Sequence, residues 1–168
     1  MIADLVQIRT LGEKKRTENS RFRQFLKSRD HSDRILRRIA EDVQEQIDCT
    51  QCAECCRVAT AKLSERDVER LMRHLRISRD RFLAQYTMQS AEEGLILKRS
   101  EESGCVFLEG YSCTVYEARP ETCQRFPHVV RGNGSIASRM WELVDRACYC
   151  PIVYNSLEAF KQELGFKR

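Results

Sequence analysis

The chain has 168 residues, 42% of them apolar and 32% charged, with a net charge of +4. Such a composition buries a core without cross-links and excludes a disordered chain, while so mild a charge is no argument for nucleic acid. The longest uncharged run, Ala147 to Leu157, is eleven residues, short of the roughly 20 that a spanning helix needs, so no membrane partner is expected.

Residues 13 to 93 contain neither glycine nor proline, which reads as helical. Phe22, Phe25 and Leu26 form a first apolar pattern. A clearer stripe follows in Ile35, Leu36, Ile39, Ala40, Val43 and Ile47, with a break expected at Asp30 to Asp33. Ser64 and Asp67 form a capping-box pattern ahead of Val68, Leu71, Met72 and Leu75. Ser78 is expected to cap a short helix carrying Phe82, Leu83 and Tyr86.

After Gly94 the character changes. Leu95 to Leu97, Cys105 to Leu108 and Cys113 to Tyr116 read as short strands, and Glu109-Gly110 suggests a hairpin between the last two. Arg119-Pro120 starts a turn or a single helical turn that stops at Phe126-Pro127. Val129-Val130 and Ile136-Ala137 flank Gly132-Asn133-Gly134, a second hairpin signal. Trp141 is expected in the core. Ser156 is expected to open a stripe of Leu157, Phe160 and Leu164, with Gly165 as its stop.

Nine cysteines are the compositional outlier. Residues 1 to 4 show no basic stretch leading into an apolar one, so the expected location is cytoplasmic, where thiols stay reduced and metal binding outranks disulfides. The cysteines fall into three groups: Cys49, Cys52, Cys55 and Cys56; Cys105, Cys113 and Cys123; and Cys148 with Cys150. All nine are candidate metal ligands. Successive two-residue spacings bring Cys49, Cys52 and Cys55 from one short loop to one centre, the pattern of bacterial iron–sulfur proteins, where a remote Cys-Pro often completes the set. Cys150-Pro151 has that local form. Zinc is the rival, although only the first group has the short hook of a zinc site. Neighbouring side chains diverge, so Cys55 and Cys56 seldom serve one metal. Eight ligands would make two four-thiolate sites with one cysteine left over. His31, His74 and His128 read as structural or solvated.

The string Cys49 to Arg57, then Cys105-Val106-Phe107-Leu108, then Cys113 to Cys123 with Tyr116, Glu117, Arg119 and Pro120, and finally Phe126-Pro127, resembles the cysteine-cluster family of zinc- or iron-chelating proteins. Two departures are Ala53, where members often carry glycine, and Gln124, where they carry arginine. The resemblance implies a metal-chelating, iron–sulfur protein. A branch of the family methylates flagellin lysines with S-adenosylmethionine, but this chain lacks a glycine-rich strand-to-helix motif for that cofactor. Gly132-x-Gly134 reads as a turn.

Together these readings predict a small, helix-rich α+β domain with short β-hairpins around a cysteine-ligated metal centre. Residues 1–48 would be a helical extension and 49–168 the metal-binding domain. The first functional reading is an iron–sulfur protein, of 4Fe-4S type, with structural or electron-transfer use of its cluster and a protein or redox partner. A structural zinc module and an S-adenosylmethionine-dependent lysine methyltransferase are the alternatives. Tyr116, Arg119 and Pro120 would shape the turn that delivers Cys113 and Cys123, and Arg57 and Arg119 would hydrogen-bond near the sulfurs.

Overall fold

The computed structural model describes residues 1–28, 33–132 and 134–167. In chain order its helices are α1 (Leu5–Lys14), α2 (Arg16–Lys27), α3 (Asp33–Glu45), α4 (Glu54–Val58), α5 (Glu65–Leu75), α6 (Arg79–Tyr86), α7 (Glu121–Arg125), α8 (Ile136–Arg146) and α9 (Pro151–Glu163). Between α6 and α7 lie the strands β1 (Thr87–Ser90), β2 (Gly94–Leu97), β3 (Arg99–Ser100), β4 (Gly104–Cys105), β5 (Leu108–Glu109) and β6 (Ser112–Cys113). They pair as three separate antiparallel hairpins, β1 with β2, β3 with β4 and β5 with β6. The fold is α+β and helix-rich, as the sequence predicts. No helix among the described residues is long and apolar enough to cross a membrane.

The chain divides into two compact units, one made of residues 1–48 with 126–168 and the other of 49–125. The first is helical. The stripe of α3 buries Leu36, Ala40 and Val43 in a core with Ile8, Phe22, Leu26, Met140, Leu143, Leu157 and Phe160. Phe22 meets Phe160 edge-on with ring centres 5.5 Å apart. Lys161 is buried in this unit, where its ammonium pairs with Glu18 and Glu158 and donates to Asn19 Oδ1. Burying a charge is tolerable only with such partners.

Several expectations for this unit are corrected. Helix α1 runs through Gly12, where a Cβ would lie 2.5 Å from the Ala147 carbonyl oxygen. Among the described residues, 136–137 is not a strand: Ile136 starts α8, capped by the Ser135 side chain, which accepts from the Ser138 amide. The apolar spacing Ile136, Met140, Leu143, Val144 is helical and overrides the strand reading. Trp141 falls on the outer face of α8 and is 62% exposed. Ser156 lies inside α9, which opens instead at Pro151, favoured at a first helical position. The expected break at Asp30–Asp33, like His31 and Asn133, lies outside the described residues except for Asp33, the first residue of α3.

In the second unit both predicted caps form. Ser64 and Asp67 make the reciprocal capping box of α5, and the Ser78 side chain accepts from the Arg81 amide at the start of α6. Val68, Leu71, Phe82, Leu97, Phe107 and Val115 share the core. Tyr86 stacks on both Phe82 and Phe107, at 5.8 and 5.0 Å. The β1–β2 register pairs Thr87 with Leu97 and Ser90 with Gly94, so the glycine-free stretch ends in a strand rather than a helix. Cys105 to Leu108 is not one strand. Gly104, at φ +72°, turns Cys105 back onto β3, and Leu108 belongs to the next hairpin.

Candidate metal centre

The first cysteine group is a wound loop followed by a short helix. A single 3-10 turn spans Cys49–Gln51, and the amides of Cys52 and Ala53 donate to the Cys49 carbonyl. Ala53 then takes φ +52°, the left-handed region that glycine occupies without strain. Cys55 and Cys56 lie on α4. Cys49 is exposed, while Cys52, Cys55 and Cys56 are half-buried.

Two arginines tie this loop to the hairpins. Arg57 Nη1 donates to the Cys52 carbonyl and Nη2 to the Gly110 carbonyl, both at 2.9 Å, and the guanidinium stacks on Tyr111. Arg99 Nη2 donates to the Arg57 carbonyl at 2.8 Å. Loop and hairpin come close at Gly104, where a Cβ would lie 2.7 Å from the Cys56 carbonyl oxygen and 2.9 Å from Arg57 Cα. Only a glycine lets Cys105 of β4 come this near Cys56.

Cys113 ends β6 and Cys123 lies on α7, joined by the expected turn. Arg119 Nε donates to the Tyr116 carbonyl and its guanidinium lies 3.5 Å from the Tyr116 ring centre. Gln124 Nε2 donates to the Arg119 carbonyl and so pins the turn from the other side. The whole turn is held down by α5. Arg70 donates to the carbonyls of Ala118 and Arg119, and the Asp67 carboxylate accepts from the Glu121 amide. Sequence reasoning sees Asp67 only as the cap of α5; its second role depends on a contact 54 residues away.

The structure brings four thiols into one electrostatic neighbourhood: Cys56, Cys105, Cys113 and Cys123. Burial pushes Cys123 up to about 12, and the charges of Cys105, Cys56 and Cys113 push the same way. Burial also raises Cys105 and Cys113. Cys56 moves in the opposite direction, to about 7, chiefly because the Cys55 thiol hydrogen-bonds it, with Arg57 and Arg119 adding to the effect against burial. Arg99 acts on Cys105, and Arg119 acts on Cys56, Cys113 and Cys123. The hydrogen bonds shown for Arg57 and Arg119 go to backbone carbonyls rather than to sulfur, and their influence on the thiols is through charge.

Among the described residues, no three cysteine, histidine or acidic side chains stand together as a ready-made metal shell. The donor chemistry nevertheless suits a soft metal: four thiols, three positive guanidiniums around them and no carboxylate acting on Cys56, Cys105, Cys113 or Cys123. Cys148 and Cys150 belong to the other unit. There Cys148 is buried, Sγ donating to the Val144 carbonyl and paired with Glu13, and burial raises its thiol to about 12. Cys150 is the buried residue before Pro151. His74 is exposed, and His128 sits at φ +66° after Pro127.

A family profile described as a putative zinc- or iron-chelating domain, with the Cys-x2-Cys-x2-Cys-Cys signature, matches residues 48–151. The chain belongs to this family. The family description supports binding of a zinc or iron ion by this chain. No curated protein matches, and no solved structure matches. Within the zinc- or iron-chelating match fall all nine cysteines, including the two of the helical unit.

Proposed function

We propose that this zinc- or iron-chelating chain is an iron–sulfur protein whose cluster is held by Cys56, Cys105, Cys113 and Cys123. One observation carries the reading. These thiols come from α4, β4, β6 and α7, yet Cys56 acts electrostatically on the other three, and Arg57, Arg99 or Arg119 acts on each of the four. A centre with four thiolates carries about −2, which nearby guanidiniums offset. The two-residue spacings of Cys49, Cys52 and Cys55 support the same metal chemistry. They provide three further thiolates on the loop that leads to Cys56, enough to contribute to a second centre. When bound, a cluster supplies a one-electron couple or a rigid cross-link between loop and hairpins.

Anaerobic purification with iron, acid-labile sulfide and zinc measured per chain tests the proposal. Brown protein with iron and sulfide in equal amounts is the expected result. A colourless protein loaded with one zinc supports the second reading, a structural zinc module, which the soft thiol set also suits.

A further inference from the structure

We propose that Arg99 donates a hydrogen bond to the metal-bound thiolate of Cys105, and so sets how firmly the centre is held. The inference rests on the metal-centre reading above.

Arg99 and Cys105 are direct partners in the β3–β4 register. Opposed residues of an antiparallel pair project from the same face, with Cβ atoms roughly 5 Å apart. The guanidinium is anchored at one end, where Nη2 donates to the Arg57 carbonyl next to Cys56. At the other end, Nε is buried without a hydrogen-bond partner. Leaving a buried donor unanswered is costly, more so when it is charged. The remaining buried side-chain nitrogens and oxygens without partners belong to Arg23, Arg139, Arg146 and Ser156, all in the other unit. Within the described residues of the cysteine unit, the unanswered donor is therefore Arg99 Nε, beside a candidate ligand.

The other two arginines are occupied differently. Arg57 is committed to two carbonyls, and Arg119 Nε to a third. Arg99 alone of the three combines a fixed guanidinium with a buried donor left over. A thiolate is a strong acceptor of charge-assisted bonds, and groups that hydrogen-bond a metal ligand typically govern metal affinity by 10- to 100-fold, on the order seen for second-layer partners. Lysine would keep the charge but not the fork that reaches Arg57 and Cys105 together.

The test uses the full chain, purified anaerobically, with the native sequence compared with Arg99→Met and Arg99→Lys. Metal and sulfide per chain are measured first, then the rate of metal release into a chromogenic chelator, then the thermal melt of each reduced, metal-free chain. The expected result is release about tenfold faster for Arg99→Met, an intermediate rate for Arg99→Lys, and metal-free melts that differ little. Equal release rates in loaded protein overturn the role of Arg99 while leaving the centre standing. A metal-free melt that falls in proportion to the release rate also overturns it, because Arg99 then acts through the hairpin alone. Should Arg99→Met not fold, Arg99→Lys decides between the same outcomes. Native protein that carries no metal overturns the centre itself, and this inference with it.

Discussion

Asp67 Oδ1 accepts a hydrogen bond from the amide of Glu121 at 2.9 Å, joining the start of α5 to the start of α7. One carboxylate thereby caps two helices, since Oδ2 also accepts from the Ser64 amide and hydroxyl. Arg70 pairs with the same carboxylate and reaches the carbonyls of Ala118 and Arg119. The segment that carries Cys113 and Cys123 is held by this clamp. Its side chain being 3% exposed, Asp67→Ala leaves Arg70 and three donors without their acceptor. We expect a loss of about 3 kcal/mol in denaturant unfolding, in the range for breaking one partner of a buried pair. Asp67→Asn, which retains an acceptor oxygen, is expected to lose about half as much. A loss under about 0.5 kcal/mol for Asp67→Ala would show that the clamp carries no stability.

The same carboxylate predicts an acid limb. Burial pushes the Asp67 carboxyl up, but its bonds from Ser64, Glu121 and Arg70 outweigh burial and hold it below the ordinary value. A group depressed in this way stabilises the fold above its unfolded value, roughly 3.9, and loses that contribution as pH falls through the lower folded value. The metal-free native chain should therefore lose stability below about pH 4 more steeply than metal-free Asp67→Asn. Parallel acid limbs for the two proteins would remove Asp67 from the explanation.

Two glycines with left-handed backbones separate strain from collision. Gly94, at φ +79°, faces nothing within 4 Å, whereas Gly104, at φ +72°, faces the backbone of Cys56 and Arg57. Gly94→Ala is expected to cost about 1 kcal/mol from conformation alone. Gly104→Ala adds a clash with backbone that cannot rotate away, so it should cost more than about 2 kcal/mol and lower metal content as well. Similar melts and similar metal content for the two variants would refute the close approach.

The ligand set is read by serine substitution. Hydroxyl is a harder and less acidic donor than thiol, so Cys56→Ser, Cys105→Ser, Cys113→Ser and Cys123→Ser should each lose metal. Cys148→Ser should keep it, because Cys148 bonds to Val144 and Glu13 inside the helical unit. Full metal content in the Cys56 variant would dissolve the proposed centre. Chelation of the native chain should weaken unit 49–125 first, while the α1–α3, α8 and α9 core keeps most of the helical circular dichroism, since it buries its own apolar faces.

Local order was legible where it depends on neighbours in the chain. Ser64 with Asp67 and Ser78 with Arg81 mark helix starts because capping acts within three residues. The stripe of α3 follows from its own 3.6-residue period, and the cysteine spacings point to metal before any coordinate is known. Where two local signals compete, only packing decides: at Ile136-Ala137 the strand reading loses to the apolar face of α8, which buries Met140 and Leu143. The same holds for Gly12, a helix breaker by propensity that the backbone at Ala147 requires. The site itself is mostly non-local. Sequence alone identified all nine cysteines as candidates and the family to which they belong. It favoured the grouping of Cys49, Cys52 and Cys55, because adjacency in a loop is the one kind of proximity that spacing encodes. That Cys56 acts on Cys105, Cys113 and Cys123 goes with the missing side chain of Gly104, the reach of Arg99 and the two-helix cap of Asp67. Each of these is a contact across some 40 to 55 residues of chain, set by shape and hydrogen-bond partners that no spacing rule contains.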